Sequence, residues 1–272
     1  MNSEKNIFVV GYGSNLNLED FSSFTNSQGY FGDYLDYYKH VVIPDYKLVF
    51  NVESVSRKGG VLNIEYSVGY VTDAILFKTN KEGLKLLRKK EGVPFKYQEK
   101  RIHVLDNEGY EYSALTYIVP DDRTCDFIAP HKSYLDICLK GYRDFALGNG
   151  EINLAKASVN DELKPLEALF CYGTLMREEK RFPLIKDMGI YYSIIGYCQI
   201  GHLTTNGLYP ALNIETKAEY GIQGDFFCFK DISKVIEITD KIEGFNGYGK
   251  KNNLFRRSYT LIDIGGSLRE SW

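Results

Sequence analysis

Tryptophan is almost absent from this chain, cysteine and histidine are sparse, and neither sign of charge prevails. A single Trp accompanies five Cys and four His in 272 residues. Cys125, Cys138, Cys171, Cys198 and Cys228 are odd in number, scattered and never spaced Cys-x-x-Cys. That pattern argues against a disulfide framework or a zinc site and fits a reducing cytoplasm. The histidines form no His-x-x-x-His pair. A net charge of -3 provides no electrostatic footprint for nucleic acid or an anionic membrane surface. No apolar run approaches the ~20 residues that span a bilayer. Residues Met1–Asn6 lead into a strand-like run without the apolar core and cleavage site of a signal peptide. The expectation is a cytoplasmic protein with no metal, nucleic-acid or membrane partner.

Tyrosine is what the chain has in excess, with 22 residues in a composition that is 14% aromatic. Most of these suit half-buried sheet positions, and a few are candidates to line a polar pocket with their hydroxyls. The length suits one large or two ordinary domains.

A repeat decides for two. Asn6–Val10 reads as a buried strand and runs into Gly11-Tyr12-Gly13-Ser14-Asn15-Leu16. Leu169-Phe170-Cys171 runs likewise into Tyr172-Gly173-Thr174-Leu175. A second landmark follows each. Leu84 and Leu87 lead to Glu91-Gly92-Val93, then Tyr97 and a strand over Lys100–Leu105; Val235, Ile236 and Ile238 lead to Glu243-Gly244-Phe245, then Phe255 and a strand over Ser258–Ile262. Each landmark is a short amphipathic helix stopped by a glycine suited to the left-handed C′ position. Tyr12 to Glu91 spans 79 residues and Tyr172 to Glu243 spans 71. Matched landmarks at matched spacing indicate duplication.

Further strands are expected at Asp45–Phe50, Ser67–Phe77 and Tyr112–Val119, and at Tyr192–Ile200, Leu212–Glu215 and Gly221–Phe229. Turns at Lys58-Gly59-Gly60, Asn107-Glu108-Gly109 and Thr205 to Pro210 separate strands. A helix over His131–Leu147 closes the first half, and Gly148-Asn149-Gly150 opens a polar linker. The expected architecture is α+β: a first domain over 1–150, a linker over 151–166 and a second domain over 167–272.

Glycines behind a buried strand let the backbone turn its N–H groups outward, so Tyr12-Gly13-Ser14-Asn15 suits an anion or oxyanion nest. The pattern argues against a dinucleotide loop. Gly11-x-Gly13 lacks the third glycine of that fingerprint, and the second half has no Gly-x-Gly after its strand. A glutamate before a helix-ending glycine is ordinarily a solvated surface residue, but its recurrence in two divergent halves marks Glu91 and Glu243 as functional candidates.

The combination of strand, Tyr-Gly-Ser-Asn-Leu, Glu91-Gly92-Val93 and Tyr97 resembles the γ-glutamylcyclotransferase family. Pro130–Leu147, with Tyr134 and Gly141, is similar to that family's closing segment. Cys171 to Leu175, Tyr209-Pro210-Ala211 and Asp240-x-x-Glu243-Gly244 are similar to the related γ-glutamylamine cyclotransferase (AIG2-like) branch. The resemblance spans nearly the whole chain. It implies two tandem domains, each a small mixed β-barrel with flanking helices. It further implies Glu91 and Glu243 as general acid/base residues, without a cofactor. Substrate contacts would come from Tyr12, Gly13, Ser14 and Asn15, and from Tyr172, Gly173, Thr174 and Leu175, with Tyr117 and Tyr134 lining the first pocket. The family pattern Leu-Asp-x-x-Glu-Gly is broken in the first half by Arg88, and in the second Thr239 replaces an apolar residue and Phe255 a tyrosine. The last residues, Gly265 to Trp272, stop where family members usually continue.

The chemistry agrees with those roles. A γ-glutamyl amide carries its own nucleophile, the α-amine, positioned to close a five-membered ring. What remains is to deprotonate that amine, protonate the leaving amine and stabilise the oxyanion. One glutamate and one nest suffice. The expected activity is release of 5-oxoproline from a small γ-glutamyl substrate. A tandem module that binds such acids without turnover, with one site decayed, is the alternative, as is removal of a γ-glutamyl group from a biosynthetic intermediate.

Overall fold

The structure, a computed structural model, describes residues 6–205, 207 and 210–272, and within 215–220 only the backbone. The chain divides into two compact units. The first contains the residues up to Ser67 with Val71–Val104 and Tyr112–Leu163; the second contains Val68–Tyr70, Leu105–Glu111 and Lys164–Trp272.

Five strands form a barrel in the first unit: β1 (Ile7–Gly11), β2 (Asp36–Ser54), β3 (Gly59–Thr79), β4 (Gln98–Leu105) and β5 (Glu111–Ile118). They close in the order β1-β3-β2-β4-β5. β3 pairs antiparallel with β1 and β2, whereas β1 lies parallel to β5 with Val9 opposite Leu115. Helices α1 (Leu18–Ser27), α2 (Lys81–Glu91), α3 (Lys132–Asp144) and α4 (Gly148–Ser158) accompany the barrel. Alternation along β2 and β3 sends Phe50, Leu62 and Phe77 inward, and α2 adds Leu87.

In the second unit the strands are β6 (Ala168–Cys171), β7 (Ile190–Thr205), β8 (Pro210–Phe229), β9 (Thr260–Asp263) and β10 (Leu268–Ser271), with α5 (Ile232–Ile242) between β8 and β9. They form a five-stranded sheet rather than the closed barrel expected, because among the described residues the strand ladders do not join β6 to β10; the order, β6-β8-β7-β9-β10, matches the first unit strand for strand. Trp272 donates to the Ala168 carbonyl at 3.1 Å and accepts from the Phe170 amide at 2.9 Å. Such bonds to residues two apart are those of a parallel pair, and they lie at the position where β1 meets β5 in the barrel of the first unit. No helix among the described residues is long and apolar enough to cross a membrane.

Several elements differ from the sequence reading. β2 and β3 are long arms of 19 and 21 residues, because polar and apolar residues keep alternating beyond their most apolar stretches. Leu212–Glu215 and Gly221–Phe229 belong to one strand, β8. α1 follows directly on the Tyr-Gly loop, capped by Asn17, whose side chain accepts the Asp20 amide at 3.0 Å. Residues 148–158, read as linker for their glycines and asparagine, are α4. That helix buries Leu154 and Ala157, and Glu151 accepts from Arg143 Nε at 2.6 Å. Asn206, Leu208 and Tyr209 of the expected turn, and Met1–Lys5, lie outside the described residues.

α3 passes so close to the Tyr-Gly loop that its Gly141 has no room for a side chain. A Cβ there would stand 2.5 Å from Leu16 Cβ and 2.8 Å from the Asn17 amide. Helix propensity alone would make Gly141→Ala stabilising by about 1 kcal/mol. Because the obstruction includes backbone, the expected outcome is the opposite, a loss of about 1–3 kcal/mol, read as a lowered thermal midpoint.

Candidate functional site

In the first unit, α2 is launched by Asn80, whose side chain accepts the Gly83 amide at 2.9 Å. It is anchored by buried Leu84, Leu86 and Leu87 and ends on Glu91. Gly92 adopts φ +64°, and the Val93 amide turns back to the Arg88 carbonyl at 3.0 Å. Opposite, the chain leaving β1 makes one 3-10 turn over Ser14–Leu16, pinned by fully buried Leu16. Tyr12 is fixed at both ends. Its hydroxyl donates to the Tyr117 carbonyl at 2.6 Å, and its own carbonyl accepts from Tyr142 at 2.7 Å.

A cavity of about 110 Å³ brings together Tyr12, Gly13, Ser14, Asn15, Glu91, Tyr117 and Tyr134, and with them Arg57, Lys90, Lys96 and Tyr97. Every site residue expected in the first half lines it. Asn15 Nδ2 donates to Glu91 Oε1 at 2.8 Å, while Lys90 Nζ donates to Asn15 Oδ1 at 2.9 Å and pairs with Asp20 at 2.9 Å. Burial pushes the Glu91 carboxyl above the usual carboxylate range, against the opposing pull of Lys90 and the Asn15 hydrogen bond. Tyr134 accepts the Leu62 amide at 3.3 Å and Tyr97 donates to the Leu62 carbonyl at 2.9 Å. The Tyr117 hydroxyl reaches Glu99 at 3.5 Å.

The sequence reading missed the cations. Arg57 arrives from the turn between β2 and β3, and its guanidinium lies 5.4 Å from the Tyr134 ring centroid. Lys90 belongs to a run that reads as a solvated helix end, yet only 7% of its side chain is exposed. Its adjacency to Glu91 was the one available signal.

In the second unit, Asp231 caps α5 by accepting the Lys234 amide at 3.4 Å. Gly244 ends the helix at φ +62°, and the Phe245 amide returns to the Asp240 carbonyl at 2.8 Å. A cavity of about 350 Å³ gathers Tyr172, Gly173, Thr174, Leu175 and Glu243, with Arg181, Asp240, Arg257, Phe245 and Trp272 also in its wall. Again all expected residues meet. Here the loop is held by charge. Arg177 forks onto buried Asp225 at 2.8 and 2.6 Å, and its amide donates to the same carboxylate at 2.6 Å. Glu243 pairs with Arg181 at 3.3 Å. Its carboxyl is raised by burial and held back by that guanidinium. Pro210 packs over Gly173; Tyr209 beside it lies outside the described residues.

Among the described residues no group of three or more His, Cys, Asp or Glu side chains converges on a point that could hold a metal.

No protein-family model matches the chain, and no curated protein matches it in sequence. Solved structures do. An uncharacterized Homo sapiens protein (loc79017) is 24% identical at a TM-score of 0.49, over 56% of this chain and 88% of that one. A γ-glutamyl cyclotransferase is 23% identical at a TM-score of 0.48, over 55% and 86%. An AIG2-like protein from Mus musculus is 15% identical at a TM-score of 0.33, over 47% and 87%.

Replacing Glu91 tests its environment directly. A carboxyl whose folded pKa is raised costs stability as pH climbs through and above that pKa, and costs nothing below the unfolded value. Glu91→Gln keeps the acceptor for Asn15 and removes the charge. The variant is expected to melt higher than wild type at pH 8, with the difference vanishing toward pH 4 in a thermal-melt series.

Proposed function

We propose that the chain is a cofactor-independent cyclotransferase that converts a γ-glutamyl amide into 5-oxoproline and a free amine. Glu91 acts as its general acid/base, and its partner is a small molecule in the cytoplasm. The observation that carries this reading is the Glu91 carboxyl itself: half-buried, of raised proton affinity, and hydrogen-bonded to Asn15 of the Tyr-Gly loop within one cavity. The matching strand orders of the two units support a tandem duplication of one γ-glutamylcyclotransferase-like barrel.

The reaction needs little machinery. The α-ammonium loses a proton to the Glu91 carboxylate, and the freed amine attacks the γ-carbonyl carbon. The C–N bond to the leaving group then breaks as Glu91 returns that proton to the departing nitrogen, and the ring nitrogen releases its remaining extra proton to solvent. Ring closure is intramolecular, so holding the substrate chain curled, with its amine against the γ-carbonyl, provides much of the acceleration. Backbone N–H groups of the Gly13–Asn15 turn are candidates to meet the developing oxyanion. The lysines and Arg57 favour the carboxylate end of the substrate. A base with raised pKa is lost as pH falls through that value, so the acid limb of kcat/KM should lie above the ordinary glutamate value of about 4.3.

A second reading applies to the other unit alone. Glu243 is tied to Arg181, which lowers its readiness to accept a proton, and its cavity is larger and more apolar. That favours a binding module without turnover there.

Assay of 5-oxoproline release from a panel of γ-glutamyl amino acids and amines tests both. Glu91→Gln is expected to reduce kcat/KM by ~10²–10⁴-fold. Glu243→Gln should leave turnover intact if the second unit only binds. Undiminished activity in the double variant would remove both glutamates from the mechanism.

A further inference from the structure

The first half carries Arg88 where the second carries Asp240, and the structure gives this difference a partner. Positions 88 and 240 are equivalent. Each lies three residues before its glutamate, and each backbone carbonyl accepts the amide that follows the left-handed glycine, Val93 in one unit and Phe245 in the other. Positions 99 and 257 are equivalent as well, two residues beyond Tyr97 and Phe255. Arg88 grips Glu99 with two parallel hydrogen bonds, Nε to Oε2 at 2.7 Å and Nη2 to Oε1 at 2.7 Å. In the second unit Asp240 faces Arg257 at 3.7 Å. The bridge from helix end to following segment is therefore present in both units with its polarity reversed. A single Asp-to-Arg change at position 88 would set two guanidiniums against each other. The residue at 99 is instead the complementary one.

We infer that Arg88 and Glu99 are a positioning pair for Glu91, the sign-reversed counterpart of Asp240 and Arg257, and that Arg88 is a compensated exchange rather than decay of the first site. The inference rests on the cyclotransferase reading for what Glu91 does. Neither Arg88 nor Glu99 lines the first cavity, so they act through the helix end and through Tyr117, whose hydroxyl also meets Glu99. A bidentate guanidinium–carboxylate fork fixes direction as well as distance. It prevents the last turn of α2 from rotating its glutamate out toward solvent.

The test uses the full chain in a Glu243→Gln background, so that only the first site reports. Arg88→Asp, Glu99→Arg and the double exchange are compared with Arg88→Lys, which keeps the charge and loses the fork. The Glu91 carboxyl is titrated by carbon NMR in each. Replacing Arg88 by Asp would raise its pKa through charge alone, whereas a loosened, better-solvated carboxyl titrates lower. The expected result is a fall in both single variants and recovery in the double exchange. No fall, or no recovery in the double, overturns the inference whether or not the protein turns over substrate. In the 5-oxoproline assay the single exchanges should lower kcat about 10-fold or more with KM little changed, Arg88→Lys should lie between, and the double should recover to within about threefold. Should the parent chain carrying only Glu243→Gln release no 5-oxoproline from any γ-glutamyl amide, the functional reading of Glu91 fails while the titration still decides the pair. Should the single exchanges fail to fold, Arg88→Lys decides by the same titration: an unchanged Glu91 pKa overturns the inference.

Discussion

An α-helix leaves its last carbonyls without intrahelical donors, and α2 and α5 resolve this in the same way. A glycine at φ +64° or +62° reverses the chain immediately after the glutamate, and the next residue's amide returns to the last turn. The glutamate is thereby held where the helix ends and the cavity begins. Only a residue without Cβ enters that conformation cheaply, so the glycine sets the direction in which the carboxyl is delivered. The end of a helix is also the negative end of its dipole, which disfavours a carboxylate and acts in the same sense as burial. Proton affinity and placement follow from one turn of backbone.

The two units hold the opposing loop by different physics. In the first, tyrosine hydroxyls reach backbone carbonyls: Tyr12 to Tyr117 and Tyr142 to Tyr12. These bonds are neutral and indifferent to moderate changes in salt. In the second, a guanidinium fork onto buried Asp225 does the same work, and the cavity beside it is about 350 Å³ against about 110 Å³. One topology thus carries two loops of different electrostatic character.

Much of this was legible in the residues. Short apolar runs ending in Tyr-Gly read as buried strands, and Glu-Gly after an amphipathic stretch reads as a helix end, so the landmarks of both cavities were readable by local rules. Glu91 is hydrogen-bonded to Asn15, and Glu243 lines one cavity with the Tyr172 loop. What escaped was decided by tertiary contact. Gly148-Asn149-Gly150 has the composition of a linker, and only packing of Leu154 and Ala157 makes it helical. Arg57 reaches the first cavity across a hairpin, and the match between Arg88 and Glu99 needs the β-strand partner in place before the charges mean anything. Sequence periodicity reports which face of an element is buried, not which distant side chain it will meet.

The composition of the second unit has a bearing on how such a chain can be divided. Val68–Tyr70 and Leu105–Glu111 precede residue 164 yet belong with the residues after it, and Glu108 and Gly109 form part of the wall of the larger cavity. A gene fragment opening at Lys164 would encode β6 to β10 and α5 but not that portion of wall. The two units are therefore not separable cassettes in sequence: a cut at the apparent midpoint of the chain would deliver the second one incomplete.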